Sequence, residues 1–395
     1  MVIVVGSGAG GATVAKELAA KGVAVTLIEK GPEIEEKDAF KHYSNIDSEV
    51  KVMRTICLGG TTTVSVGNGV RCLEEELKQV GIDLRAEFEE AEKELAVEVL
   101  PDSLFGDGTR RIMEAAENLG LDVQKMPKFI NPNKCKSGGR CAYGCPDGAK
   151  WSALRFVKEA ERKGARIITG MPVDEVVVKN GEVEGVKSGD RVFPDDTVVL
   201  SAGALETPRL LNRIGLPTSS LFVDTFITVG GIVKGIKFDK EVPMNAVIRF
   251  EDFILCPHFS KFLAERVEER GLKASQEDII GIMVKIKDDD VGKIDEEIKK
   301  GVTNRDATII SEGASIAGSI LGEVGVDPST FVSTPLRGAH PGGTARIGIA
   351  VDKNLATEMS GLYVTDASVL PVVPGAPPIL TIVALAKYVS RIIAR

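Results

Sequence analysis

An α/β fold is predicted by three observations near the N-terminus. These are the apolar run Val2–Val5, the turn Gly6-Ser7-Gly8-Ala9-Gly10-Gly11, and a second apolar run, Val23–Ile28, that closes on Glu29. Between the turn and the second run, Ala12–Ala20 carries helical periodicity, so the segment reads strand, turn, helix, strand. That is the βαβ unit that opens a Rossmann-like domain built on a parallel sheet. Each glycine of the Gly6-x-Gly8-x-x-Gly11 pattern has a steric task. Gly6 permits the tight turn, Gly8 lets a pyrophosphate approach the backbone, and Gly11 lets helix and strand pack closely. The pyrophosphate then meets the free N–H groups of a helix N-terminus. Glu29 lies 18 residues beyond Gly11, at the end of the second strand, where a carboxylate accepts both hydroxyls of a ribose.

Downstream elements follow in order. Charged helices are expected over Glu74–Lys78 and Glu87–Val99, then a Cys/Gly-rich loop over residues 131–148. Short strands are expected over Arg166–Thr169, Glu175–Val178, Glu182–Val186 and Thr197–Leu200, with Asn180-Gly181 as a hairpin turn, and a helix begins at Pro208. From about Gly215 to Ser333 the texture changes. Strand-like runs (Val223–Ile236, Val247–Leu255, Ile279–Ile286) alternate with charged segments read as helices (Lys261–Arg270, Asp295–Lys300). The prediction is α+β overall: a discontinuous nucleotide-binding domain, residues 1–214 and 334–395, with a smaller antiparallel-sheet substrate domain, 215–333, inserted into it.

The chain has 395 residues, enough for two domains, and its 43% hydrophobic and 27% charged residues are ordinary for a soluble globular protein. A net charge of −8 and the absence of a long Lys/Arg run argue against a nucleic-acid partner. The uncharged stretch Ala367–Ala386 is about long enough to span a bilayer. It contains Pro371, Pro374, Pro377 and Pro378, so it reads as a buried loop followed by a helix. With a strand starting at Val2 there is no room for a secretory signal, and the expected location is cytoplasmic.

Three further segments carry a resemblance. Leu58-Gly59-Gly60-Thr61-Thr62, then Ser201-Ala202-Gly203-Ala204-Leu205-Glu206-Thr207-Pro208-Arg209-Leu210-Leu211, and the C-terminal block HPGGTARIG from His340 through VDKNLAT and GLYVTDASVLP resemble the glucose–methanol–choline (GMC) oxidoreductases, in family order. The resemblance implies FAD as the dinucleotide. By position, Gly59, Gly60, Thr61 and Thr62 would lie against the pyrophosphate and flavin, and Val173 would meet adenine through its backbone. Ala202 and Gly203 would close over the nucleotide, while Asp366 and Ala367 would bind the ribityl–pyrophosphate region. The plainer alternatives are a helix cap for Asp366 and turns for the glycines.

Of the three histidines, His42 and His258 are read as structural. The resemblance places His340 before the flavin as the base that takes a hydroxyl proton while hydride leaves the carbon. An imidazole, with a pKa near neutral, suits that task. The family sets a second polar residue, His or Asn, beside this base. Aligning Pro374-Gly375-Ala376-Pro377-Pro378-Ile379-Leu380-Thr381 with that loop puts Pro377 at the position. Proline has no side-chain donor. Ser65, Asn68 and Tyr143 are candidate replacements, unranked by the sequence.

Cys135-x5-Cys141-x3-Cys145-Pro146 forms a dense thiol loop with Gly138, Gly139 and Gly144. Three close cysteines in an intracellular chain suggest a metal or redox centre before a disulfide. Zinc would want paired knuckles and a fourth ligand, whereas iron–sulfur chemistry tolerates this spacing. The loop KCKSGGRCAYGCPDGAKWSA also resembles the flavoprotein subunits of FAD sugar dehydrogenases that carry an iron–sulfur cluster. A 3Fe–4S centre on the three cysteines is the expectation. Cys57, Cys72 or Cys256 would be a fourth ligand for 4Fe–4S, and a purely structural loop is the alternative.

The expected function is therefore an FAD-dependent dehydrogenase that oxidises a small hydroxyl-bearing substrate (alcohol, polyol or hydroxy acid) at His340. Electrons would leave through the cluster to a protein or quinone acceptor, and the chain would be part of an oligomer or complex. The alternatives are an FAD-binding electron-transfer subunit without alcohol chemistry, and a non-redox lyase.

Overall fold

The computed structural model describes residues 1–395. Its first layer is a five-stranded parallel sheet in the order Leu362–Val364, Val198–Leu200, Val2–Val5, Val25–Ile28, Arg166–Ile168. Val2–Val5 and Val25–Ile28 are buried at every position, as a parallel sheet covered on both faces requires. The helix Ala9–Ala20 packs on this sheet and against the C-terminal helix Ile379–Ile393. The loop-then-helix reading of residues 367–386 is therefore what the chain adopts, and no helix is long and apolar enough to cross a membrane.

Gly6 and Gly11 show why this crossing admits only glycine. A Cβ on Gly11 would stand 2.0 Å from Gly6 O, and one on Gly6, at φ +96°, would stand 2.2 Å from Ser201 O. The hairpin of Glu175–Lys179 and Glu182–Ser188 turns at Asn180 and Gly181, both at positive φ, as predicted.

The second sheet is mixed and has its centre in Thr225–Ile232, Ile279–Ile286, Phe253–Pro257 and Ala246–Arg249, paired antiparallel in that order. Its flanks come from outside residues 215–333: Arg337–Gly338 with Lys51–Val52 on one side, Val123–Lys125 on the other. Arg337–Gly338 lies in this sheet between Thr225–Ile232 and Lys51–Val52; His340 follows directly, and Gly343 N–H donates to Ala367 O, just beyond the parallel strand Leu362–Val364.

Several local expectations are corrected. The run Val247–Leu255 is two strands bent at residues 250–252. Asp295–Lys300 is not a helix: Lys293–Ile294 pairs antiparallel with Ile298–Lys299. Ile298 is buried in a small cluster with Val50, Val52, Leu221 and Val223, and the Lys300 ammonium is buried against Asp288 at 3.0 Å, so alternation wins over charge density. The charged segment around Glu87 is a helix over Arg85–Leu95, followed by a short strand, Glu98–Val99. A 20-residue helix, Asn304–Glu323, was not anticipated. Its signal is a capping box, with Thr303 Oγ accepting from Asp306 N and the Asp306 carboxylate returning to Thr303 N–H, ahead of buried Ile309, Ala317, Ile320 and Leu321.

Candidate active site

One cavity of about 900 Å³ runs between the two sheets. At one end lie the glycine turn (Gly6, Gly8) and Glu29, with Val173, Ala202 and Gly203. Gly60, Thr61, Thr62, Asp366 and Ala367 line its middle, and His340 and Pro377 its far end. Gly11 and Gly59 lie behind the wall and act through packing. Gly11 sits under the turn, and Gly59, at φ +87°, leaves no room for a Cβ beside Leu154.

The dinucleotide end is held by Ser7, a residue the sequence reading passed over. Ser7 Oγ donates to Glu29 Oε2 at 2.5 Å and accepts from Gly59 N–H at 2.9 Å, while Ser7 N–H donates to the same Oε2 at 3.0 Å. Gly31 N–H donates to Glu29 Oε1 at 2.7 Å. Three of the roughly four lone-pair positions of this carboxylate are thus used within the protein. Glu29 has one left to offer a ribose, fewer than the two hydroxyls anticipated. Burial raises its pKa, against the opposing pull of Ser7 and Gly31.

These residues fit FAD. The helix Ala9–Ala20 starts at Gly8 with no side-chain cap, leaving its first-turn N–H groups for an anion. A Cβ built on Gly8 or Gly203 meets nothing within 4 Å, so both glycines border open space. Ser65 Oγ is buried, lines the cavity and has no hydrogen-bond partner. Thr62 is structural in its hydroxyl, donating to Gly59 O at 2.6 Å and accepting from Ala153 N–H at 2.9 Å. Asp366 does cap a turn, accepting from Ser368 N–H at 2.8 Å, but its other oxygen accepts from Gly203 N–H (2.8 Å) and Thr207 Oγ (2.6 Å). It thereby ties two cavity-lining segments together, and burial raises its pKa.

At the far end, His340 Nδ1 lies 2.8 Å from Asp224 Oδ2 and 2.5 Å from Lys285 Nζ. Asp224 and Lys285 are themselves 3.4 Å apart, with side chains 0% and 3% exposed, while His340 retains 20% and opens to the cavity. Neither partner was singled out in the sequence. Lys285 is the one charged residue of the wholly buried strand Ile279–Ile286, and Asp224 directly precedes the strand Thr225–Ile232. Asp224 has φ +51° and is clamped by Asp288, whose carboxylate accepts from Asp224 N–H at 2.9 Å and Thr225 Oγ at 2.9 Å. Gly375 N–H, from the proline-rich loop, donates to Asp224 Oδ1 at 3.0 Å. Burial, then the neighbouring Lys285, pushes the His340 pKa down to about 4, so its imidazole is neutral at pH 7. Burial also lowers the Lys285 pKa, against the raising effect of Asp224, Cys256 and Asp288.

Of the replacements considered for Pro377, Ser65 and Asn68 line the same cavity, but Asn68 Oδ1 accepts from Lys128 Nζ at 2.5 Å. Tyr143 lines an adjoining cavity of about 270 Å³. His258 bonds Thr228 Oγ at 3.0 Å, and His42 ends a short 3-10 turn.

The iron–sulfur expectation is not supported. No group of three or more His, Cys, Asp or Glu side chains is arranged to hold a metal ion. Cys145 is instead buried in an apolar cluster with Leu100, Phe105, Ile130 and Val242, against which Cys135 and Cys141 pack. Burial raises the Cys135 pKa and pushes that of Cys141 up to about 11, as for thiols packed against an apolar cluster. Cys57, Cys72 and Cys256 are buried elsewhere, Cys72 Sγ lying 3.1 Å from Thr381 Oγ. The loop instead walls the cavity. Its Ala142 lines both cavities and its carbonyl accepts from Tyr43 OH at 2.8 Å.

Comparison with known proteins bears on the family and the fold. The GMC oxidoreductase N-terminal region matches residues 2–232 and the C-terminal region residues 291–386. An uncharacterized protein of Methanocaldococcus jannaschii is 33% identical over 395 residues, covering 98% of each chain. A long-chain-alcohol oxidase of Arabidopsis thaliana is 22% identical, covering 99% of this chain and 66% of its own. Among solved structures, pyridoxine 4-oxidase from Mesorbium loti superposes with a TM-score of 0.76 at 16% identity, covering 99% of this chain and 98% of the oxidase, a likeness of fold. A formate oxidase variant from Aspergillus oryzae gives 0.74 at 14%, covering 99% and 97%. The chain belongs to the GMC oxidoreductases, the FAD-dependent enzymes that act on CH–OH groups.

Proposed function

We propose that this protein oxidises an alcohol with an apolar body, using His340 as the base. The observation that carries the reading is the 2.8 Å contact between His340 Nδ1 and Asp224 Oδ2 at the end of the cavity that begins at the glycine turn. We assign the proton to Nδ1, because Asp224 Oδ2 can only accept, and this leaves Nε2 its lone pair. With its pKa held near 4, that nitrogen is unprotonated at neutral pH and takes the hydroxyl proton as the alcohol becomes a carbonyl. The flavin, when bound, accepts the hydride. Met53, Val66, Phe226, Met244 and Met283 line the same cavity as His340, which suits an apolar substrate body. The names of the Arabidopsis and Mesorbium relatives, both oxidases, are in keeping with an alcohol substrate.

Electrons would leave FAD directly for a protein, quinone or oxygen acceptor, without passing through Cys135, Cys141 and Cys145. The test is anaerobic loss of flavin absorbance on adding primary alcohols: hexanol, dodecanol, benzyl alcohol and pyridoxine. At least one is expected to bleach the flavin, and His340→Ala to slow that reduction at least about a hundredfold. Unchanged bleaching in His340→Ala would instead identify another base. No bleaching by any alcohol would favour an FAD-binding electron-transfer subunit.

A further inference from the structure

Pro377 leaves the reacting end of the cavity without the polar side chain expected beside His340, and the structure supplies one from another element. Lys285 reaches the cavity from the strand Ile279–Ile286, where its neighbours in register are Phe226 and Ile254. Its Nζ stands 2.5 Å from His340 Nδ1 and 3.3 Å from Nε2, so an oxygen that bonds the Nε2 lone pair is also within reach of the amine.

An ammonium has three hydrogens to donate and no lone pair to accept with. Asp224 Oδ2, at 3.4 Å, takes one. Nδ1 cannot take another while it donates to Asp224. The Nε2 lone pair, at 3.3 Å, can take a second hydrogen in a long bond, and the third has no acceptor in the protein although Lys285 lines the cavity. A buried donor without an acceptor is costly, and a ligand oxygen placed between Nζ and Nε2 removes that cost.

Resting on the proposed oxidation at His340, we propose that Lys285 is a catalytic residue whose Nζ holds the substrate hydroxyl oxygen, in the role a side chain at position 377 would otherwise fill. Asp224 is the positioning residue for both nitrogens. In the step, the O–H bond breaks and its proton goes to His340 Nε2. The C–H bond breaks with its electron pair, which leaves as hydride for the FAD. The amine stabilises negative charge developing on the oxygen until the C=O bond is formed.

The experiment uses the flavin-loaded protein and two probes. Sulfite adds to flavin N5 to form an anionic adduct with loss of visible absorbance, and it requires no alcohol chemistry. A protonated amine at the reacting position strengthens this adduct, so Lys285→Met is expected to bind sulfite at least about tenfold more weakly, and Lys285→Arg within about threefold of the parent. Lys285→Gln, which keeps a donor for the buried Asp224 carboxylate, covers the case in which Lys285→Met does not fold. The second probe is the alcohol that bleaches the parent fastest. Its reduction rate at saturation should fall at least about tenfold in Lys285→Ala, with recovery on adding ethylamine. Parental sulfite affinity in either neutral variant, at parental flavin content and melting temperature, overturns the proposal, as does an unchanged reduction rate. If no alcohol bleaches the parent but the sulfite effect is present, the oxidation at His340 fails while the placement of the amine stands.

Discussion

Asp224 Oδ2 accepts from His340 Nδ1 at 2.8 Å while Asp224 itself sits at φ +51°, a left-handed conformation that a non-glycine residue rarely adopts. That conformation is held from three sides: Asp288 takes its N–H, Gly375 N–H donates to its other oxygen, and Lys285 stands at 3.4 Å. A residue so over-determined fixes the ring it touches. Asp224→Asn removes the acceptor-only partner and allows the imidazole its other tautomer. Flavin reduction should then fall on the order of a hundred- to ten-thousandfold, with FAD still bound. Stopped-flow reduction beside a flavin-content measurement checks this, and a loss of less than about threefold would show that the ring is oriented by something else.

Ser7 joins three parts of the dinucleotide site: the glycine turn, Glu29 and Gly59. Ser7→Ala leaves the Gly59 N–H without an acceptor and the Glu29 carboxylate without its shortest partner. Each buried orphan costs about 1–3 kcal/mol. Because the lost contacts border the cofactor, the expected outcome is weaker FAD retention together with a lower melting temperature. Fluorescence of flavin released on dilution reads the first and calorimetry the second. Parental values in both would mean that the Glu29 contact to Ser7 N–H suffices.

The opening βαβ unit and its turn were legible because they are local: Val2–Val5, the glycine turn, the helix Ala9–Ala20 and Val25–Ile28 lie in one stretch, and sterics at Gly6 and Gly11 leave few alternatives. His340 and Pro377 were legible through a resemblance carried by flanking residues. Asp224 and Lys285 were not, since one directly precedes and the other lies within a strand of the second sheet, distant in sequence from His340. Their trace was nonetheless present: a lysine within Ile279-Ile280-Gly281-Ile282-Met283-Val284-Lys285-Ile286 has no surface face to occupy, so it must be compensated or used. The same argument applies to Lys300, whose buried pair with Asp288 turned an expected helix into a hairpin. For Cys135, Cys141 and Cys145, spacing alone could not say whether the thiols hold a metal or serve as part of an apolar cluster.

That loop gives a third prediction. If the three cysteines serve as wall and packing, a Cys135→Ser/Cys141→Ser/Cys145→Ser variant keeps its flavin content and its flavin-reduction rate. It should lose stability chiefly through Cys145, whose hydroxyl replacement would be buried among Leu100, Phe105 and Ile130. In the parent, Cys141, with its pKa pushed up to about 11, should react slowly with iodoacetamide at pH 8. Loss of a visible or EPR-active iron signal in the triple variant would restore the iron–sulfur reading.

Two histidines set the acid behaviour. Burial pushes both His340 and His258 down to about 4, aided by Lys285 for the first and by Arg337 and Lys128 for the second. An unfolded histidine titrates near 6.5. Between about pH 6.5 and 4 the unfolded chain therefore binds more protons than the folded one, and stability contributed by the neutral rings is lost as pH falls through that window. Above pH 6.5 that contribution is present in full. Denaturant titrations should show stability declining from pH 6.5 to 4, with a shallower decline in His258→Gln, which retains a side-chain partner for Thr228. The catalytic limb has the same origin: His340 Nε2 stays unprotonated well below neutrality, so flavin reduction by alcohol at pH 5.5 should run close to its rate at pH 7. Half-loss of the rate near pH 6.5 would mean that the imidazole titrates as in water and that Asp224 and Lys285 do not hold it in the dry pocket described here.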